Sequence, residues 1–107
     1  MPREKFKTLT EQMFYVLLCL QRECQGVEIL EQARDMTQGR VNIGSGTLYD
    51  LLEQFDAQGF IRQTRAQGRR RSYIITEKGR EMLEKEYRRL LAQAADYERM
   101  LGRGDDT

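Results

Sequence analysis

Residues 44–79 read GSGTLYDLLEQFDAQGFIRQTRAQGRRRSYIITEKG. Leu48, Leu51, Leu52 and Phe55 recur at i, i+3, i+4 and i+7, one apolar stripe at helical spacing. Ser45 is placed to cap that helix, and Gly59 to end it, because glycine reaches the left-handed conformation that closes a helix. Phe60 to Thr64 and Ser72 to Ile75 then read as two short strands, with a hairpin tip turning at Gln67-Gly68. Thr76 caps a further helix.

Outward from this stretch the rest is helical. Upstream, Thr8 with Glu11 matches a capping box, with Thr10 as the alternative cap. The run Met13-Phe14-Tyr15-Val16-Leu17-Leu18-Cys19-Leu20 is apolar on nearly every face, which predicts a helix packed on more than one side. After Gln25-Gly26, Val27, Ile29, Leu30, Ala33 and Met36 mark a second helix, which gives way at Thr37-Gln38-Gly39-Arg40. Downstream, Leu83, Tyr87, Leu90, Ala94, Tyr97 and Leu101 are spaced 4, 3, 4, 3, 4, a seam of coiled-coil periodicity on a long helix. The chain is therefore mainly α with a small β-hairpin, an α+β class. Residues 1–76 form a reading head with an N-terminal arm, and residues 77–107 a C-terminal dimerisation helix with a short tail. All 107 residues suit one structural unit whose small core gains from a partner.

Charge is focused rather than abundant. The net charge is +1, but from Ala57 to Thr76 there is no acid, while Arg62, Arg65, Arg69, Arg70 and Arg71 all fall there. Local potential steers association, so this segment predicts an anionic partner. The polar start MPREKFKTLTEQ and the lack of a long apolar run predict no secretory leader, no membrane span and a cytoplasmic location. With no histidine and only Cys19 and Cys24 as thiols, no metal or cofactor site is expected. Cys19 reads as a buried thiol and Cys24 as one near a helix end. The absence of a phosphate-binding glycine loop, a nucleophile elbow and a metal cluster argues against an enzyme.

Three helices followed by a hairpin make a winged helix-turn-helix, whose third helix enters the major groove and whose wing touches the backbone. Leu48, Leu51, Leu52 and Phe55 supply that helix's apolar back. Gly44 and Gly46 admit close approach, and the helix start favours a phosphate. Ser45, Thr47 and Tyr49 offer hydroxyls in front. Gly68 permits the wing's turn, and Arg69, Arg70 and Arg71 present planar forks suited to phosphate. Strand alternation keeps all three from pointing one way. Asp50 and Glu53 would repel phosphate if they faced it, and their orientation stays open.

Several strings together carry a resemblance: Leu9-Thr10-Glu11 leading into Phe14-Tyr15-Val16-Leu17-Leu18, then Gly44-Ser45-Gly46-Thr47-Leu48-Tyr49, Gly59-Phe60-Ile61, Gly68-Arg69-Arg70-Arg71-Ser72-Tyr73 and Ile75-Thr76-Glu77-Lys78-Gly79. The chain resembles PadR-family transcriptional regulators of the short type with a single C-terminal helix. That resemblance implies a dimeric repressor in which each C-terminal helix packs across the partner's first helix. It assigns DNA contact to Ser45, Gly46, Thr47 and Tyr49 and to Gly68, Arg69, Arg70, Arg71 and Tyr73. Ser45 stands where the family often has proline.

The seam and first helix together predict a dimer interface of Met13, Phe14, Leu17, Leu83, Tyr87, Leu90, Ala94, Tyr97 and Leu101. Some short family members hold flat aromatic drugs between tryptophans at the dimer centre, and this chain has no tryptophan. Met13, Phe14, Tyr87, Leu90, Tyr97 and Met100 are its candidates for a small hydrophobic effector. The expected function is a sequence-specific regulator of double-stranded DNA, a homodimeric repressor released by such an effector. The competing reading is a protein-interaction adaptor, which explains the seam but leaves the arginine-rich wing unexplained.

Overall fold

The computed structural model describes residues 8–68 and 70–102. The expected contacts of the N-terminal arm and of Arg69 lie outside them. Chain order is α1 (Glu11–Cys19), β1 (Cys24–Gln25), α2 (Gly26–Met36), α3 (Ser45–Gln58), β2 (Ile61–Gln67), β3 (Arg70–Ile75) and α4 (Glu77–Leu101).

Thr10, not Thr8, caps α1. Its hydroxyl accepts from the Met13 amide at 3.2 Å, and the Met13 thioether accepts in return from the Thr10 amide at 3.4 Å. Glu11, expected in that cap, instead pairs with Arg40. Val16, Leu17 and Leu20 are fully buried, with Met13, Phe14, Tyr15 and Leu18 half-buried around them. Ile29 and Ala33 bring α2 onto this core, whereas Val27 and Met36 are exposed.

Ser45 does not cap α3. Gly44 is the cap residue and Ser45 the first helical one. The first helical position favours proline, whose fixed φ suits a helix start and whose missing N–H costs nothing there. Leu48, Leu51, Leu52 and Phe55 are all buried as the stripe predicts. Gly59 ends the helix in the left-handed region at φ 79°.

The hairpin is longer than its sequence signal. β2 runs to Gln67, and Gly68 turns the chain at φ 61°. β2 and β3 pair from Ile61↔Ile75 to Gln67↔Arg70, with a bulge at Thr64. A third strand, absent from the sequence reading, completes the sheet: β1 pairs antiparallel with β3 through Cys24↔Tyr73 and Gln25↔Ser72, giving the order β1-β3-β2. It covers the edge of β3 that would otherwise leave backbone groups unpaired.

On α4, Gly79, Met82, Leu83 and Glu86 are buried, and every residue from Tyr87 to Leu101 is exposed. The helix is a rod that leaves the body, and the described chain spans 59 × 40 × 21 Å. No helix among the described residues is long and apolar enough to cross a membrane.

Candidate nucleic-acid interface

The start of α3 is open to solvent. Ser45, Gly46 and Thr47 are exposed, the first turn carries no acid, and no side chain caps the helix. Its free amide donors and the positive end of the helix dipole therefore face outward. A Cβ at Gly44 or Gly46 would meet nothing within 4 Å. Packing among the described residues does not require glycine at either position.

Tyr49, 55% exposed, lies across the first residue of α2. Its hydroxyl oxygen would be 2.8 Å from a Cβ built on Gly26. It borders a cleft of about 870 Å³ between α3 and the wing. Tyr49, Glu53 and Asp56 form the α3 wall, and Gln63, Arg70 and Arg71 the wing wall. The structure thus brings Tyr49, Gly68, Arg70, Arg71 and Tyr73 to one cleft, with Ser45, Gly46 and Thr47 outside it on the open start of α3. Tyr73 lines the cleft but is buried, so its ring packs with the core. Asp50 is turned to the outer helix face, where it accepts from Gln54 at 2.8 Å; Glu53 faces the wing.

The wing arginines divide into two groups. Arg65 is held by Glu23 at 3.3 Å, and the same carboxylate accepts from the Thr64 hydroxyl at 2.6 Å. This clasp fixes the bulge and neutralises one cation, and no pattern in the sequence pairs residues so far apart. Arg62, Arg70 and Arg71 are exposed and form no ion pair among the described residues. Their charge remains available to an external anion.

Away from the cleft, Phe14, Leu18, Leu83 and Tyr87 line an apolar groove of about 420 Å³ between α1 and α4. The candidate effector residues Phe14 and Tyr87 meet there. Tyr97 and Met100 lie farther out on the exposed rod, and Met13 is engaged with Thr10. Of the expected seam, Tyr87, Leu90, Ala94, Tyr97 and Leu101 are exposed. Leu17 is enclosed by its own core and Leu83 nearly so.

Both thiols are buried. Burial, reinforced by the nearby Cys24, pushes the Cys19 thiol up to about 11. Burial also raises Cys24, against a hydrogen bond from Gln32 that lowers it. Cys24 opens β1 directly before Gln25, the N-cap of α2, and so lies near a helix end as expected; its Sγ lies 3.5 Å from the Cys19 carbonyl it donates to. Such thiols are weak nucleophiles.

Three helices, an edge strand and an arginine-bearing hairpin define a winged helix-turn-helix, the architecture of a DNA-reading module. The family model described as the transcriptional regulator PadR-like family matches residues 16–85. The chain belongs to that family. Among solved structures it is similar to a PadR family transcriptional regulator from Eggerthella lenta, at 21% identity and TM-score 0.73, covering 83% of this chain and 80% of that one. A PadR family regulator from Clostridium difficile is similar at 19% identity and TM-score 0.69, covering 83% and 97%. A PadR-like regulator from Bacillus cereus is similar at 23% identity and TM-score 0.68, covering 83% and 89%. No curated protein matches.

Proposed function

We propose that this PadR-family chain is a homodimeric, sequence-specific repressor that reads double-stranded DNA with α3 and grips its backbone with the wing. The observation that carries this reading is the pair Arg70 and Arg71, exposed and without a carboxylate partner among the described residues, across a cleft from Tyr49. The α3 wall of that cleft also carries Glu53 and Asp56, yet neither arginine pairs with a carboxylate among the described residues, so both planar forks stay open to a phosphate. Ser45, Thr47 and Tyr49 then lie toward base edges, while Gly68, Arg69, Arg70 and Arg71 meet the backbone. The exposed apolar stripe of α4 supports pairing of two chains, because a soluble monomer gains nothing by exposing Tyr87, Leu90, Tyr97 and Leu101 on one rod.

In the dimer, the groove at Phe14 and Tyr87 is the seat of a small hydrophobic effector, whose binding shifts the two heads and releases DNA. The protein works in the cytoplasm, where DNA is met. Anisotropy titrations of the full chain against a random short duplex at several salt concentrations test the reading. Tight binding that weakens steeply with salt is expected. Absence of duplex binding at low salt would contradict it.

A further inference from the structure

The string Thr76-Glu77-Lys78-Gly79 has no place in the proposed DNA interface, yet it joins the end of the reading helix to the start of the long helix. Three consecutive carbonyls where α3 ends and β2 begins, those of Gln58, Gly59 and Phe60, accept from α4 and its cap, while the Phe55 and Asp56 carbonyls accept from the Phe60 and Gly59 amides. The Lys78 ammonium donates to the Gln58 carbonyl at 2.9 Å. The Thr76 hydroxyl donates to the Gly59 carbonyl at 2.6 Å, and the Thr76 amide to the Phe60 carbonyl at 2.9 Å. The Lys78 ammonium also stands 5.4 Å from the centroid of the Phe60 ring. The negative end of α3 thus meets a fixed cation and the positive end of α4. Gly79 closes the contact by letting the α4 backbone rest on Phe60.

We propose that Lys78 is a positioning residue that sets the angle between α3 and α4, and through it the half-site spacing the dimer accepts. This rests on the dimeric DNA-reading function proposed above. The α4 rod amplifies any error at the joint: over 25 residues, or roughly 36 Å, a tilt of about 10° moves the far end by about 6 Å. Two reading helices held through that rod must fall about one DNA turn apart, near 34 Å. An error of several ångströms is two base-pair steps. Backbone hydrogen bonds at Thr76 and Phe60 hold the chain's path, but the ammonium of Lys78 is the only side-chain cation among the described residues that binds an end carbonyl of α3.

The test uses the full chain and a duplex selected from a random pool by the wild-type protein. Versions of that duplex have their centre lengthened or shortened by one or two base pairs. Wild type should lose roughly 10-fold in affinity per altered spacing, as it would for a mismatched base pair. Lys78→Met keeps the stem over Phe60 but removes the ammonium. Its spacing penalty should fall below about 3-fold, with binding to a random duplex and thermal stability close to wild type. Lys78→Arg should restore the penalty. A Lys78→Met protein with the full wild-type spacing profile would overturn the assignment of Lys78 while leaving the DNA-reading function intact. A uniform loss on every duplex, random ones included, would overturn it as well. Failure of the wild type to select any duplex would instead overturn the function on which it rests.

Discussion

The α carbon of Gly79 lies against the carbonyl of Phe60 so closely that a Cβ on it would stand 2.1 Å from that oxygen and 2.7 Å from Ile75 Cγ1. The obstacle is backbone, so a larger residue must push α4 away from the hairpin. Gly79→Ala should destabilise the fold by roughly 1–3 kcal/mol, read from a lowered urea midpoint at unchanged slope. A wild-type midpoint would show that the contact is not formed.

Gly46 offers the opposite case. It is helical and open on all sides. Gly46→Ala should stabilise the protein by about 0.5–1 kcal/mol through helix propensity. It should nevertheless weaken duplex binding, because the added methyl occupies the face that approaches the groove. A gain in stability with unaltered DNA affinity would remove Gly46 from the interface.

The division among wing arginines predicts different salt dependences. Each phosphate contact contributes about 0.9 to the slope of log K against log salt on B-form DNA. Joint replacement of Arg70 and Arg71 by alanine, four arginines in the proposed dimer, should flatten the slope by up to about 3.6. Arg65→Ala should change it little, because Glu23 already holds that guanidinium. Equal effects from both variants would mean that the clasp opens on DNA.

Glu86 predicts an acid-dependent term. It is buried on α4, and Arg89 beside it holds its carboxyl below the usual range, burial opposing and the Leu9 amide assisting. A carboxylate whose folded pKa is depressed contributes stability in full above its unfolded value, near 4.3, and loses it as pH falls through the lower folded value. Glu86→Gln should therefore be less stable than wild type by about 1–2 kcal/mol at pH 7, with a gap that narrows below about pH 4. A gap that persists unchanged to pH 3 would contradict the assignment.

The thiols should be silent in the folded state. With Cys19 pushed up to about 11 and Cys24 raised, a disulfide reagent at pH 8 should label the native protein at least roughly 10-fold more slowly than the urea-unfolded chain. Equal rates would reveal an accessible thiolate.

What was legible in the sequence followed periodicity. Leu48, Leu51, Leu52 and Phe55 define a face of α3 without reference to anything distant, and Gly59 marks its end. What the sequence missed or left open has a shared cause: it depends on partners far along the chain. β1 is two residues long and exists only because β3 offers an edge. Glu11 left its expected cap because Arg40 was available. The direction of Glu53 and the withdrawal of Arg65 required the cleft and Glu23 to be in place. Tyr73 joined the core because its strand lies between two others.

Sedimentation equilibrium of the full chain, alone and with a short duplex carrying a selected site, tests the central claim most directly. The expected result is a particle of twice the chain's mass that binds one duplex as a pair, and that falls apart when Tyr87 and Leu90 are both replaced by glutamate. A single chain in solution that binds the duplex one to one, with no second copy recruited, would contradict it.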